Sequence, residues 1–365
     1  MPAFDTDPNE GETYGILPVL MIKNEEGWVQ TIIAPSVTWN EIAGVTGTFR
    51  LFYYASALER LELIGSYSEK INREARLQYK NLDVFGGRFH TDFQLLYDRN
   101  SSIRFFGVGP SSKKDNETNM TLAQSGGYAI FGVNVTRTMR LSLGETLQHW
   151  DVSRGGVPGL PFTGDLFPDL PGIQGTTIHA QRIALIRDTR DSLTTPTEGL
   201  YLSLFGEASS ELLGSDADYL KGGVEVRYLH PFVDRRLIMV LRAVYEGITG
   251  PSSIPFEVLP TLGGVDTLRG FAENRFYGDN LLLFNAELRA KVLKMRIFGV
   301  DAEFEVAPFV DFGKVFNSLD QLSQKFEVTP GVGFRGLAPP SVVGHVEFAF
   351  SREGPAIYVG LDYPF

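Results

Sequence analysis

The sequence predicts an all-β fold: a 16-stranded antiparallel transmembrane β-barrel with an inward-folded long loop. Three observations predict it. Segments of ten residues and more alternate apolar with polar side chains, as strands do when one face meets lipid and the other a wet interior. No apolar run approaches the roughly eighteen residues a membrane helix needs, and mean hydropathy is near zero at -0.04. Finally, Gly263 to Arg275 breaks the alternation: it sets Arg269 between Leu268 and Phe271, with Gly270 giving the backbone a sharp path. A loop this long and this apolar is expected to fold inward rather than hang in water.

Taken in order, residues 1–27 read as an N-terminal arm or plug segment and residues 28–365 as the barrel. Pro2, Pro8 and Gly11 make the first thirteen residues irregular. Pro18 interrupts the apolar run Tyr14 to Lys23, which demotes it to an edge strand or a packed segment. From Trp28 the period becomes two. Glu74, Arg76, Gln78 and Lys80 alternate with Ala75, Leu77 and Tyr79; Arg88, His90, Asp92 and Gln94 alternate with Phe89, Thr91, Phe93 and Leu95. With further candidates near 28–40, 44–55, 58–70, 119–134, 137–150, 176–190, 198–208, 217–231, 236–249, 281–292, 301–314, 326–337, 342–352 and 354–364, the count is about sixteen, even as in bacterial barrels. Short turns such as Arg352-Glu353-Gly354 and longer connections such as Asp151 to Gly175 suit a barrel with turns on one rim and loops on the other.

Composition narrows the function. A formal charge of -11 without a basic stripe argues against nucleic acid. Zero cysteines exclude disulfide scaffolds and thiolate metal sites. The five histidines, His90, His149, His179, His230 and His345, have no metal-ligand spacing. Neither GxSxG nor GxxxxGK[ST] occurs, so no metal, cofactor, nucleotide or enzymatic activity is expected. Gly107-Val108-Gly109 runs into Pro110 and reads as a turn. The start, Met1-Pro2-Ala3-Phe4-Asp5, has no apolar signal core, which fits a cytosolic protein, a trimmed mature chain or an engineered start; the strands favour trimming.

The last strand carries Ile357, Val359, Leu361, Tyr363 and Phe365 on one face. An alternating strand that ends in an aromatic residue resembles the C-terminal signal by which bacterial outer-membrane barrels are recognised for insertion, here with Tyr363 and Phe365.

Further stretches resemble, in order, the BamA/TamA outer-membrane insertase superfamily, the bacterial surface antigen barrel family. They are Arg187-Asp188-Thr189-Arg190-Asp191 with Pro196-Thr197-Glu198-Gly199, Gly263-Gly264 to Leu268-Arg269-Gly270-Phe271, Asn285-Ala286-Glu287-Leu288-Arg289, Pro308-Phe309-Val310-Asp311-Phe312-Gly313 and Gly331-Val332-Gly333-Phe334-Arg335. Phe105-Phe106-Gly107-Val108-Gly109 is more loosely similar. The resemblance implies a barrel whose sixth outer loop re-enters the lumen and pins its arginine to the wall. Alternation places Asp311, Gly313, Glu287 and Arg289 on the lumen face, so Asp311 is the first expected partner of Arg269 and Glu287 the second. Leu268, Gly270 and Phe271 would anchor the loop. Family members usually carry periplasmic POTRA modules before the barrel, and this chain reads as a barrel-only member.

The implied place is the bacterial outer membrane, with its lipids and client outer-membrane proteins or an accessory protein as partners. The expected function is to assist insertion of outer-membrane proteins or polypeptide translocation through a weakly paired seam. The alternative is a passive channel or a structural barrel that binds a partner protein, with Arg76, Lys80, Arg88 and Asp92 lining the lumen. A soluble β-sandwich fits least, because its strands are usually shorter.

Overall fold

The structure is a computed structural model describing residues 2–7, 9, 11–251, 253–297, 300–338, 342–361 and 363–365. The first strands are β1 (Pro2–Asp7), β2 (Gly11–Ile16), β3 (Leu20–Lys23), β4 (Val29–Ile33), β5 (Ser36–Asn40), β6 (Gly44–Ser56), β7 (Glu59–Ser68) and β8 (Arg73–Val84). The middle strands are β9 (Phe89–Phe105), β10 (Thr118–Asn134), β11 (Met139–Arg154), β12 (Thr176–Asp188), β13 (Gly199–Ser209), β14 (Tyr219–Phe232) and β15 (Leu237–Thr249). Two short strands follow, β16 (Thr261–Leu262) and β17 (Phe276–Tyr277). The chain finishes with β18 (Asn280–Ile297), β19 (Val300–Phe316), β20 (Glu327–Ala338), β21 (Val342–Ser351) and β22 (Gly354–Leu361).

All but β16 and β17 belong to one antiparallel sheet, in which successive strands from β6 to β15 and from β18 to β22 pair as neighbours and β15 pairs with β18. Pairing is long: β10 and β11 share fifteen register pairs, from Met120↔Arg154 to Asn134↔Arg140. Two early strands are bent. β4 and β5 both lie along β6, and β2 and β3 lie along β5 and β4, with Leu17-Pro18-Val19 at the break. Proline has no N–H for the ladder, so Pro18 divides the strand. The two ends of the sheet, β1 and β22, meet among the described residues at one register pair, Thr6↔Ile357.

The arm expected over residues 1–27 is different in its described residues: β1, β2 and β3 are strands of the main sheet. Gly11, at φ +79, opens β2 after the reversal from β1. Of the residues that made this stretch look irregular, Pro2 opens β1 and Gly11 opens β2.

The faces separate as the alternation requires. Phe93, Leu95, Phe131, Leu143 and Ile183 are 37–66 % exposed on one side, while His90 on the other is buried between Asn134 and Ser142. Long connections, 106–117, 155–175, 210–218, 250–279 and 317–326, gather at one end of the sheet, and the shorter turns 85–88, 135–138 and 233–236 at the other. At the loop end, Phe105, Phe256 and Tyr277 pack ring against ring with Trp150 and Ile178 beside them. This cluster ties the 155–175, 210–218 and 250–279 connections together.

Candidate functional site: the docked arginine loop

The connection between β15 and β18 folds back over the polar face of the sheet. Its stem is the β16–β17 pair, Thr261↔Tyr277 and Leu262↔Phe276. Above the stem the chain closes into a tight ring: Gly264 N–H donates to the Phe271 carbonyl at 3.0 Å, and Thr267 Oγ1 donates to the Gly263 carbonyl at 2.8 Å. Gly263, Gly264 and Gly270 all have positive φ. Leu268 and Phe271 are buried with Leu262, Phe276, Leu281, Leu283 and Val315, so the apolar residues flanking Arg269 hold the loop down. Gly313 completes this seat: a Cβ there would meet Leu262 Cδ1 at 3.1 Å and Leu268 Cδ1 at 3.3 Å.

Arg269 is fully buried and engages three carboxylates. Nε donates to Asp311 Oδ2 and Nη2 to Asp311 Oδ1, both at 2.8 Å, the bidentate geometry that matches guanidinium to carboxylate. The Arg269 backbone N–H adds a third bond to Asp311 at 3.2 Å. Nη1 reaches Glu287 at 3.1 Å and Glu347 at 3.3 Å. The guanidinium lies 3.3 Å from the centre of the Phe309 ring. The β18–β19 register sets Asn285 opposite Asp311, and Asn285 Nδ2 donates to Asp311 Oδ1 at 2.8 Å and to the Thr267 carbonyl at 2.9 Å. Asp311 is thus oriented by its own hairpin and bound by the loop.

The network continues along the sheet. Arg335 binds Glu287 at 2.6 and 2.7 Å and Glu347 at 2.8 and 3.0 Å, while Arg289 donates to Glu287 at 2.7 Å. All are buried. Such a network tolerates burial only because each charge faces an opposite one, and deleting a single member strands the rest. On β22, Tyr358 accepts from the Gly270 N–H at 3.1 Å and donates to the Phe271 carbonyl at 2.8 Å. Arg275 is the second fully buried arginine of the loop, with its Nε 3.0 Å from both oxygens of Glu353.

The structure therefore brings together Leu268, Arg269, Gly270, Phe271, Asp311, Gly313 and Glu287. Reading the sequence missed Glu347, Arg335 as a partner of Glu287, Phe309, Tyr358 and the Arg275–Glu353 pair. A signal for Arg335 and Glu347 existed, since alternation puts each on the face of Asp311. The chain end also departs from expectation. β22 ends at Leu361, and Tyr363 turns to the polar face, where its hydroxyl donates to Glu305 at 3.0 Å and its ring stacks 3.7 Å from the Arg289 guanidinium. Phe365 lies 5.2 Å from Arg269 and packs beside Leu229, Ile238 and Val240. The buried cations offer the aromatic tail more than continued alternation would.

An antiparallel sheet with an apolar exposed face, a charged covered face and a loop pinned across the latter defines a strand-built membrane protein of outer-membrane type. The chain belongs to the Omp85 superfamily, whose domain matches residues 59–351. It is an outer-membrane protein. It is similar to the outer membrane protein assembly factor BamA of Nitratidesulfovibrio vulgaris, 25% identical over 182 residues, covering 46% of this chain and 22% of that protein. Thus it spans about a fifth of that relative's length. Among solved structures, BamA from Haemophilus ducreyi lacking POTRA domains 1–3 matches with a TM-score of 0.59 at 14% identity, over 95% of this chain and 74% of the other. CdiB from Escherichia coli matches with a TM-score of 0.62 at 12% identity, over 96% and 66%. These two likenesses concern the fold.

Proposed function

We propose that this chain is an outer-membrane barrel that assists insertion of outer-membrane proteins or passage of a polypeptide, and that it works without catalysing a chemical reaction. In this reading the sheet closes edge to edge. Sixteen spanning strands run from residue 29 to residue 361, β4 and β5 counting as one, and β1 to β3 lie between that first strand and β22. The loop end faces outward, and the loop occupies the lumen. Arg269, Leu268, Gly270 and Phe271 anchor the loop, with Asp311, Glu287 and Gly313 as wall partners. Tyr363 and Phe365 form the insertion signal.

One observation carries the reading. Among the described residues β1 and β22 share a single register pair, whereas β10 and β11 share fifteen. A seam this sparsely paired leaves backbone N–H and C=O groups that an incoming strand satisfies, which is how an exposed edge templates another strand. The docked loop keeps the wall beside that seam rigid. Client outer-membrane proteins and the surrounding lipids are the partners.

The test is insertion of a urea-unfolded outer-membrane protein into vesicles that contain this chain, its Arg269→Ala variant, or no protein. Acceleration by the natural chain and its loss in the variant are expected. Equal rates in all three vesicles would rule the reading out.

A further inference from the structure

We propose that Arg275 positions the last strand against the first, because the segment from Gly270 to Arg275 is a strap that crosses the seam. On one side the strap holds β22 twice. Tyr358 is bonded to Gly270 and Phe271, and Glu353, in the turn between β21 and β22, is bonded to Arg275. On the other side, Asn9 in the turn between β1 and β2 donates from Nδ2 to the Glu273 carbonyl at 3.2 Å, and its own carbonyl accepts from Arg104 Nη2 of β9 at 2.8 Å. The strap therefore grips both flanks of a junction that strand pairing joins at Thr6↔Ile357.

Arg275 is built for this task. Its guanidinium is buried 3.9 Å from the centre of the Phe106 ring and 4.7 Å from that of Phe276, and Nη1 donates to Ser112 Oγ at 3.1 Å. With Glu353 on one edge and Ser112 on another, the fork has one fixed orientation. Charge-assisted bonds of this kind are roughly twice as strong as the neutral backbone bonds across the seam. The loop end of the junction is consequently held by side chains of a distant loop. Arg269 fastens the strap to the sheet, and Arg275 fastens the last hairpin to the strap.

The inference rests on the barrel reading for the seam itself but needs no client, so it is tested on the protein alone in lipid vesicles. Thr6→Cys and Ile357→Cys are combined, and disulfide formation under mild oxidant is timed in three backgrounds: natural, Glu353→Gln and Arg275→Ala. Glu353→Gln keeps shape and removes the charge from a partly exposed turn. We expect disulfide formation to slow roughly tenfold in both variants, the scale of one lost charge-assisted bond. Thermal unfolding is followed alongside: Glu353 sits at a partly exposed turn, so Glu353→Gln should lower the melting temperature far less than Arg269→Ala, whose carboxylate partners are all buried, and this separates loss of positioning from general loosening. An unchanged rate in Glu353→Gln would overturn the proposal whether or not Arg275→Ala folds. A slowed rate accompanied by a melting temperature lowered as far as in Arg269→Ala would overturn it too. Client insertion plays no part in this readout, so the strap fails or stands apart from the insertase reading.

Discussion

Arg335 grips Glu287 through two hydrogen bonds of 2.6 and 2.7 Å, and the Glu287 oxygen held by Arg335 Nη2 is the one that also accepts from Arg269 at 3.1 Å. The wall acid is thereby aimed by a neighbour in the sheet and does not depend on the loop for its orientation. The loop arginine meets a receptor already organised for it, which lowers the entropy cost of docking.

This relationship predicts non-additive mutants. Arg269→Ala and Arg335→Ala should each destabilise the fold by about 3–5 kcal/mol, since each leaves buried carboxylates without a partner. Removing both should cost clearly less than the sum of the two, because they share Glu287 and Glu347. Urea unfolding in lipid, followed by tryptophan fluorescence, measures all three. Strict additivity would mean that the two arginines act separately.

Gly270→Ala should cost about 1–2 kcal/mol from its left-handed backbone alone. Its φ is +93, and an added Cβ would sit 3.3 Å from the backbone of Phe350 and Ser351. Lengthened protease sensitivity of the loop, with the sheet intact, is the expected sign on limited digestion.

Tyr358→Phe deletes one hydroxyl that serves two loop groups. Because the site is buried, the Gly270 N–H loses its partner without gaining water while the Phe271 carbonyl keeps the Gly264 N–H, and a loss of about 1–3 kcal/mol is expected. The same unfolding measurement reads it. A neutral result would show that the loop re-pairs elsewhere.

At the loop end, Glu257 introduces a pH dependence. Both its carboxylate oxygens are buried without a hydrogen-bond partner among the described residues, and they lie against Gly172 where Phe256 N–H bonds the Pro171 carbonyl. Desolvation pushes its pKa up to about 8, against about 4.3 for an unfolded glutamate. The folded loops bind the proton more tightly, so their contact is strongest below the unfolded value, weakens as pH rises through the window between the two, and levels off above about 8. Amides of 171–175 and 256–259, corrected for intrinsic rates, should exchange faster at pH 8 than at pH 5, and Glu257→Gln should flatten the difference.

Much of this was legible in the sequence, for particular reasons. Alternation assigns a face to every strand residue, so Asp311 and Glu287 were readable as inward partners of a loop arginine. The same rule covered Arg335 and Glu347, but choosing them required the register that sets Gly333 opposite Glu347 across β20 and β21. A carboxylate occupies the space a Cβ would take there, 2.6 Å away, and a lone glycine does not announce what leans on it. Tyr358 and Glu353 were hidden because their partners lie in a loop without periodicity. The first hairpin was misread because a glycine such as Gly11 closes a hairpin as readily as it loosens an irregular arm, and the local sequence does not say which.

The direction of the loop's contacts along the chain has a further consequence. Asp311, Glu287, Glu347 and Tyr358 all lie C-terminal to the loop groups they bind, Glu347 by 78 residues and Tyr358 by 88. A chain emerging from its N-terminus makes the arginine before any wall that receives it, and closing connections of that length is a late and costly event. The seated loop is thus a completion mark: it settles only once the final hairpin has arrived. A chain halted before Glu347 would carry Arg269 unseated and open to protease, so that an unfinished product is distinguishable from a finished one.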